Sequence, residues 1–165
     1  MAVRPILLYP DPVLKRSTPP ISPGDPRLDS IVQDMLDTLQ ASPGVALAAP
    51  QIGESVQIIV VDVGRKKAEQ GHGLVVLLNP RIVDQDDPRI IREGCLSVPD
   101  YTGNVLRHGR AVVEGTTPEG QPRTIITSGF EALAFQHEVD HLKGTLFLDR
   151  IQSLSTDLFR RKTPR

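Results

Sequence analysis

The chain has a single cysteine and no long apolar run. These two features argue against a disulfide-bonded protein and against one that crosses a membrane. Its one cysteine, Cys95, cannot form an internal disulfide, so a reducing compartment is expected. No apolar stretch approaches the length that crosses a bilayer. Prolines interrupt the N-terminal segment MAVRPILLYPDP, which is therefore not expected to be a signal peptide. The cytoplasm is the expected location, with no membrane partner.

A strong excess of one charge is also missing. Nineteen lysines and arginines face twenty aspartates and glutamates, a formal net charge of −1. This balance does not favour dedicated binding of nucleic acids or membrane surfaces. Hydrophobic residues make up 39% of the 165 residues, enough for a domain with its own core. We expect one domain over residues 1–165.

A helix-like segment, a run of strand-like segments and a second helix-like segment predict an α+β fold, with antiparallel or mixed sheets packed around a central metal-binding helix. Prolines in residues 1–24 predict an extended arm. Asp25 as N-cap and Pro26 at the first position begin a predicted helix, which Ser42-Pro43-Gly44 ends. A short helix is predicted near residues 154–161. Runs rich in Val, Ile and Thr predict strands at 56–63, 74–80, 89–98, 110–117 and 123–128.

A second helix is predicted between Ser128 and Lys143, with Gly144 after its end. Ser128 and Glu131 have the spacing of a capping box. At helical spacing, one face of this helix carries apolar residues and two histidines. These residues are Phe130, Leu133, Ala134, His137 and His141.

The two histidines and Glu138 form an H-E-x-x-H sequence, which is typical of zinc peptidases. Residues four apart on a helix lie side by side, so His137 and His141 could bind one divalent metal ion. The alternative is a pair of buried histidines hydrogen-bonded within the core. In that case Glu138 would be a solvated helix carboxylate.

A catalytic metal needs a third protein ligand, and the sequence after His141 has neither histidine nor glutamate. Only Asp149 and Asp157 could serve there. Upstream, Cys95 follows Gly94, and a thiolate is a strong ligand for a borderline metal. The alternative for Cys95 is a small buried hydrophobe.

A loop of small residues, GVALAAPQIG at 44–53, precedes the first predicted strand. Small residues let a backbone approach a ligand closely, and Gln51 offers an amide donor. The alternative is a tight connecting loop with Gln51 in solvent.

Three motifs, GVALAAPQIG, EGCLSVPD and QHEVDHLKG, resemble in order and separation the motifs of the peptide deformylases. The resemblance covers nearly the whole chain, including ILLYPDPVL and LFLDRI, so the single domain would be a deformylase-like catalytic domain. The first motif departs from the family pattern at one position, where Ala46 stands in place of a glycine. We expect a negative φ at Ala46, because its neighbours have the character of extended residues.

The resemblance implies an enzyme that removes the N-formyl group from the initiator methionine of new polypeptides and releases formate. It implies one ion per chain, usually Fe²⁺ in this family, with Ni²⁺, Co²⁺ or Zn²⁺ as other ions the purified protein could hold. Its ligands would be Cys95, His137 and His141. Glu138 would act as general base and then acid. Gln51 and the backbone N–H of Leu96 would stabilise the oxyanion.

An apolar pocket for the methionine side chain is expected beside the metal. Its wall would come from the histidine-bearing helix face and from residues next to the other two motifs, although ordinary core packing explains each residue equally well. The substrate-binding residues would be Gly44, Val45, Ala46, Ile91, Phe130, Leu133 and Ala134.

Two other functions remain open beside deformylation. A zinc peptidase would cleave internal peptide bonds without needing Cys95, and a non-catalytic metal-binding protein would have a closed site. A deformylase would take N-formylmethionyl peptides as substrate and could contact the ribosome transiently. Asp140 is expected to form a buried ion pair with Arg107.

Overall fold

An antiparallel sheet, four α-helices and three short 3₁₀-helices are the regular elements of residues 2–163, the part of the chain that the computed structural model describes. Met1, Pro164 and Arg165, the ends of the predicted domain, lie outside it. The strands pair in the order β1-β2-β3-β4-β5, with β6 added along β4. The predicted α+β class is confirmed. The strands are β1 (Ala46–Ala48), β2 (Ile58–Val61), β3 (Val75–Cys95), β4 (Val98–Thr116), β5 (Pro122–Ser128) and β6 (Leu158–Arg160). The helices are α1 (Leu28–Gln40), α2 (Gly129–Leu142), α3 (Phe147–Arg150) and α4 (Leu154–Asp157).

The sheet is the middle layer of the fold, and β2 shows why its sequence is apolar without interruption. Ile59 and Val61 pack in one core cluster with residues of α2. Ile58 and Val60 pack in a second cluster with residues of α1. Since successive side chains of a strand point to opposite faces, a strand covered on both sides has no position left for a polar residue.

The strands predicted at 74–80 and 89–98 are one continuous strand, so the predicted break between them is wrong. β3 is 21 residues long and pairs with β4 along most of its length. It bends at register shifts and at two residues with positive φ, Asn79 at 50° and Asp87 at 63°. The turn-forming residues between the two runs therefore bend the strand without ending it.

The first helix begins two residues later than predicted. The Asp25 carboxylate accepts a hydrogen bond from the backbone N–H of Arg27 at 2.9 Å, which closes a turn ahead of α1. The helix then begins at Leu28 and ends at Gln40, before Ser42-Pro43-Gly44 as predicted. Asp25 therefore caps a turn, and α1 has no side-chain N-cap hydrogen bond.

As predicted, helix α2 follows Ser128 and ends shortly before Gly144. Gly144 has a positive φ of 72°. The predicted capping box is wrong, because Ser128 makes no side-chain cap bond. Glu131 is buried, and its carboxylate accepts hydrogen bonds from Thr127 Oγ1 at 2.8 Å and from the backbone N–H of His72 at 2.6 Å. The carboxylate thus binds Thr127 nearby and His72 from a distant segment, in place of the predicted backbone N–H of Ser128.

The predicted helix at 154–161 is only half present. α4 ends at Asp157, and β6 then pairs with Tyr101–Gly103 of β4. Neither β6 nor β1 was predicted from the sequence. Within residues 2–163, none of the helices combines the length and apolarity that a bilayer-crossing segment needs.

Candidate metal centre and active site

Helix α2 and the end of β3 bring three metal-binding side chains together. His137 and His141 lie one turn apart, and their Nε2 atoms are 3.1 Å from each other. The Sγ of Cys95 is 3.3 Å from His141 Nε2. One ligand atom from each residue lies within 4.8 Å of the others, close enough to bind a single ion in common.

A tight hairpin positions the thiol of Cys95. The ladder between β3 and β4 shifts register after Gly94, and Cys95 then pairs with Val98. The backbone N–H of Ser97 donates to Cys95 Sγ at 3.4 Å. The side chain is 2% exposed and therefore faces the interior beside the two histidines.

Glu93 holds the outer nitrogen of His137, a contact that was not predicted. Its Oε2 lies 2.6 Å from His137 Nδ1. Arg107 donates to both oxygens of the same carboxylate, each at 2.8 Å. Burial alone would raise the pKa of Glu93, but His137 and Arg107 outweigh it and lower that pKa to about 2. A carboxylate in this position is the usual partner of a metal-binding histidine. Its place two residues before Cys95 was the only sequence signal.

The ion pair between Arg107 and Asp140 is confirmed, at 2.7 Å from Arg107 Nη1 to Asp140 Oδ2. Arg150 also donates to both Asp140 oxygens, at 2.5 and 2.7 Å. A buried charge without an opposite partner is costly, so this pairing stabilises the buried groups. A chain of alternating charges thus leads from the half-exposed Arg150 to His137.

Glu138 is a second buried carboxylate near the imidazoles, and unlike Glu93 it forms no salt bridge with an arginine among the described residues. Its Oε2 is 3.9 Å from His137 Nε2. Its Oε1 is buried and has no hydrogen-bond partner within residues 2–163. Burial, more than any neighbouring charge, raises the pKa of Glu138 to about 7. A carboxyl group with a pKa near neutrality is suited to both accepting and donating a proton.

Gln51 reaches the site from the turn after β1 and is 1% exposed, so it does not lie in solvent. Its Oε1 accepts from the backbone N–H of Ala48 at 3.0 Å. Its amide nitrogen donates to Ser97 Oγ at 3.1 Å and lies 3.8 Å from Cys95 Sγ. This anchoring fixes the amide donor beside the thiol.

A cavity of about 290 Å³ opens onto these groups. Ala46 lies in β1 and is not among the positive-φ residues, so its predicted negative φ is confirmed. Among the described residues, every predicted site residue lines the cavity except His141, which is buried with its Nε2 atom 3.3 Å from Cys95 Sγ. The predicted residues that line it are Gly44, Val45, Ala46, Gln51, Ile91, Cys95, Leu96, Phe130, Leu133, Ala134, His137 and Glu138. Sequence reasoning missed Pro43, Lys66, Arg92, Glu93, Gly94, Thr102 and Arg161.

The chemistry of this centre fits a metal cation. Burial alone would lower the pKa of His137, but Glu93, Glu138 and Cys95 outweigh it and raise that pKa well above its usual range. A metal ion bound at the His137 imidazole would therefore have to displace a proton. Burial and the neighbouring His137 lower the pKa of His141, which favours the neutral imidazole that metal binding requires. Cys95, His137 and His141 could hold a metal ion.

Comparisons with known proteins agree with this geometry. The model of the polypeptide deformylase family matches residues 3–157. A peptide deformylase of Syntrophobacter fumaroxidans is 43% identical over 162 residues, which cover 98% of this chain and 94% of the relative.

Solved structures show the same likeness. A crystal structure of a peptide deformylase from Legionella pneumophila superposes with a TM-score of 0.85 at 38% identity, covering 93% of this chain and 88% of the other. A class I type b peptide deformylase from Acinetobacter baumannii, solved with Met-Ala-Ser bound, superposes with a TM-score of 0.83 at 34% identity, covering 91% and 99% of the two chains. The chain therefore belongs to the polypeptide deformylase family, hydrolases that remove the N-formyl group from nascent polypeptides.

Proposed function

We propose that Cys95, His137 and His141 hold one divalent metal ion per chain and that Glu138, Gln51 and the backbone N–H of Leu96 act on a formyl amide beside it. The observation that carries the proposal is the meeting of three ligand atoms with a buried, unpartnered Glu138 oxygen at one cavity. The reaction is hydrolysis of N-formylmethionyl peptides, with release of formate.

When bound, a divalent ion would lower the pKa of a coordinated water to about 7 and polarise a carbonyl group. We infer that the ion is Fe²⁺, with Ni²⁺, Co²⁺ or Zn²⁺ as substitutes. The thiolate of Cys95 adds a negative charge that two imidazoles lack, which suits a soft or borderline metal. The Glu93 carboxylate orients His137 through its Nδ1 atom.

Glu138 is proposed to move the proton. Its unpartnered Oε1 accepts the proton of the attacking water and then delivers it to the leaving amine. The raised pKa of this carboxyl, about 7, suits a group that must be deprotonated at the start and protonated halfway through.

Negative charge develops on the formyl oxygen as water adds. The Gln51 amide, anchored by Ala48 and Ser97, is the first proposed donor to that oxygen. The N–H of Leu96 is the second proposed donor, because this residue lines the same cavity directly after Cys95. One donor of this kind typically contributes about 2.7–4 kcal/mol to lowering the barrier.

The cavity wall is proposed to select methionine. Phe130, Leu133 and Ala134 form one apolar side along α2, and Val45 and Ile91 line the same cavity. β1 is a terminal strand of the sheet, so an extended peptide could pair with Ala46 there and with Gly44 just before the strand. The Acinetobacter baumannii relative was solved with the peptide Met-Ala-Ser bound, which supports a peptide with N-terminal methionine as the occupant of this cavity.

Three further parts of the proposal follow from the substrate. Residues 1–165 form one catalytic domain, the enzyme works in the cytoplasm where polypeptides are made, and it contacts the ribosome transiently. Cosedimentation of the protein with translating ribosomes at low salt tests the last of these, and absence from the ribosomal pellet would contradict it.

One assay tests the proposed reaction against its rivals. Purified protein loaded with Fe²⁺ or Ni²⁺ is incubated with formyl-Met-Ala-Ser and with acetyl-Met-Ala-Ser, and formate and new amino termini are measured. Formate and Met-Ala-Ser from the first peptide alone are expected. Cleavage of internal bonds would favour a peptidase, and no release of any product would favour a non-catalytic metal protein.

A further inference from the structure

Three cationic side chains line the outer part of the active-site cavity, and the proposed chemistry uses none of them. They are Lys66, Arg92 and Arg161. Lys66 and Arg92 are exposed, and Arg161 is half-buried. The only carboxylates that line the cavity, within residues 2–163, are Glu93 and Glu138 near the metal-binding side chains. The cavity is therefore cationic away from the metal.

Lys66 and Arg92 have partners within the fold. The Lys66 ammonium lies 4.6 Å from the ring centre of Phe130. The Arg92 guanidinium lies 3.4 Å from the ring centre of Phe159, and its Nε donates to Asn104 at 3.2 Å. These two cations are held in place by aromatic faces and an amide.

Arg161 has no such partner for its side chain. Its Nε is buried without a hydrogen-bond acceptor among the described residues, and no carboxylate there forms a salt bridge with it. A buried N–H that lacks an acceptor costs free energy, so a guanidinium in this state is suited to receiving an anionic ligand.

Backbone contacts around β6 fix the position of the Arg161 guanidinium. β6 pairs with Tyr101–Gly103, and the Arg161 N–H donates to the Asp100 carbonyl at 2.7 Å. The side chain then crosses the backbone of Gly94, where a Cβ would collide with its Nη2 atom. Gly94 directly precedes Cys95, and all three of Gly94, Cys95 and Arg161 line the same cavity.

We infer that Arg161 is a specificity-determining residue that binds a carboxylate on the residue following formyl-methionine. This inference rests on the proposed function. In this arrangement the methionine side chain would lie against Phe130, Leu133 and Ala134, and the residue that follows it would reach Gly94 and Arg161, which line the same cavity. A carboxylate there, from an acidic side chain or from the C-terminus of a dipeptide, accepts paired hydrogen bonds from the guanidinium.

The test compares two isosteric substrates, formyl-Met-Asp-Ala-amide and formyl-Met-Asn-Ala-amide. We expect the metal-loaded protein to prefer the aspartate peptide in kcat/KM by about fivefold, the scale of a partly exposed ion pair. In Arg161→Gln the preference should fall to about one, and Arg161→Lys should lie between. Lys162→Gln is the matched control, because it removes the same charge from the adjacent, exposed residue, and it should keep the preference.

A second arm needs no variant and separates the two sources of the carboxylate. Formyl-Met-Ala with a free C-terminus is compared with its amide, at low salt and at about 1 M salt, where charge attraction is screened within about 3 Å. A preference for the acid that fades with salt is expected. Equal rates for acidic and neutral substrates, or a preference that survives in Arg161→Gln, would overturn the inference alone. No formate from any formylated peptide would instead overturn the proposed function.

Discussion

Replacing Glu93 with glutamine should destabilise the protein and loosen its metal. The two oxygens of Glu93 accept three contacts, two from Arg107 and one from His137 Nδ1. A glutamine has one acceptor oxygen, so its NH₂ group would face at least one of these donors. The substitution also removes one of the two carboxylates that neutralise the buried Arg107, so that Asp140 becomes its only buried ion-pair partner among the described residues. Breaking a buried pair from one side typically costs about 3–5 kcal/mol.

That cost corresponds to a fall in Tm of about 6–20 °C for a chain of this size. Scanning calorimetry of the metal-free protein measures it, and competition with a chelator measures the metal affinity, expected to fall by about 10–100-fold. Glu114→Gln is the matched control, because Glu114 pairs with Arg81 at 3.1 Å on the surface, where the side chains are 42% and 73% exposed. It should cost less than about 1 kcal/mol. Equal Tm values for the two variants would refute the reasoning.

Four other substitutions and conditions test the remaining roles. Cys95→Ala should bind much less than one ion per chain, and full occupancy by metal analysis would contradict a three-ligand site. Glu138→Ala should keep its metal and lose about 10²–10⁴-fold in turnover, whereas activity within tenfold of wild type would argue against proton transfer. The Fe²⁺ enzyme should lose activity in air while the Ni²⁺ and Co²⁺ forms keep it, and equal lifetimes would contradict iron as the native ion. Ala46→Gly should change kcat/KM for a formyl-Met dipeptide by less than about tenfold, since Ala46 has a negative φ, and a much larger rise would show that its methyl group obstructs the groove.

The metal-binding side chains could be predicted from the sequence because their arrangement is mostly local. The four-residue spacing of His137 and His141 guarantees adjacency once a helix forms. Cys95 required a different argument, the absence of any downstream histidine or glutamate. The resemblance to a family then tied the two segments together, and the structure places their ligand atoms within 4.8 Å.

The continuity of β3 could not be predicted from local signals. Asp86, Asp87 and Pro88 have the composition of a turn, and Asp87 does adopt a positive φ of 63°. Yet Asp86 and Pro88 still pair with Arg110 and His108 of β4. The partner strand supplies enough pairing on both sides of the bend to carry the strand through it.

The unpredicted contacts at the site share one physical cause. Glu131 has the spacing to cap its own helix, but it binds His72, 59 residues away. Glu93 lies near Cys95 in sequence, but its functional contact is with His137, 44 residues away. A buried carboxylate must find donors wherever the fold brings them, because leaving it unpaired costs more than any local cap contributes. Sequence spacing therefore identifies His137 and His141 as a candidate ligand pair, while the charges that hold the site in place depend on the tertiary fold.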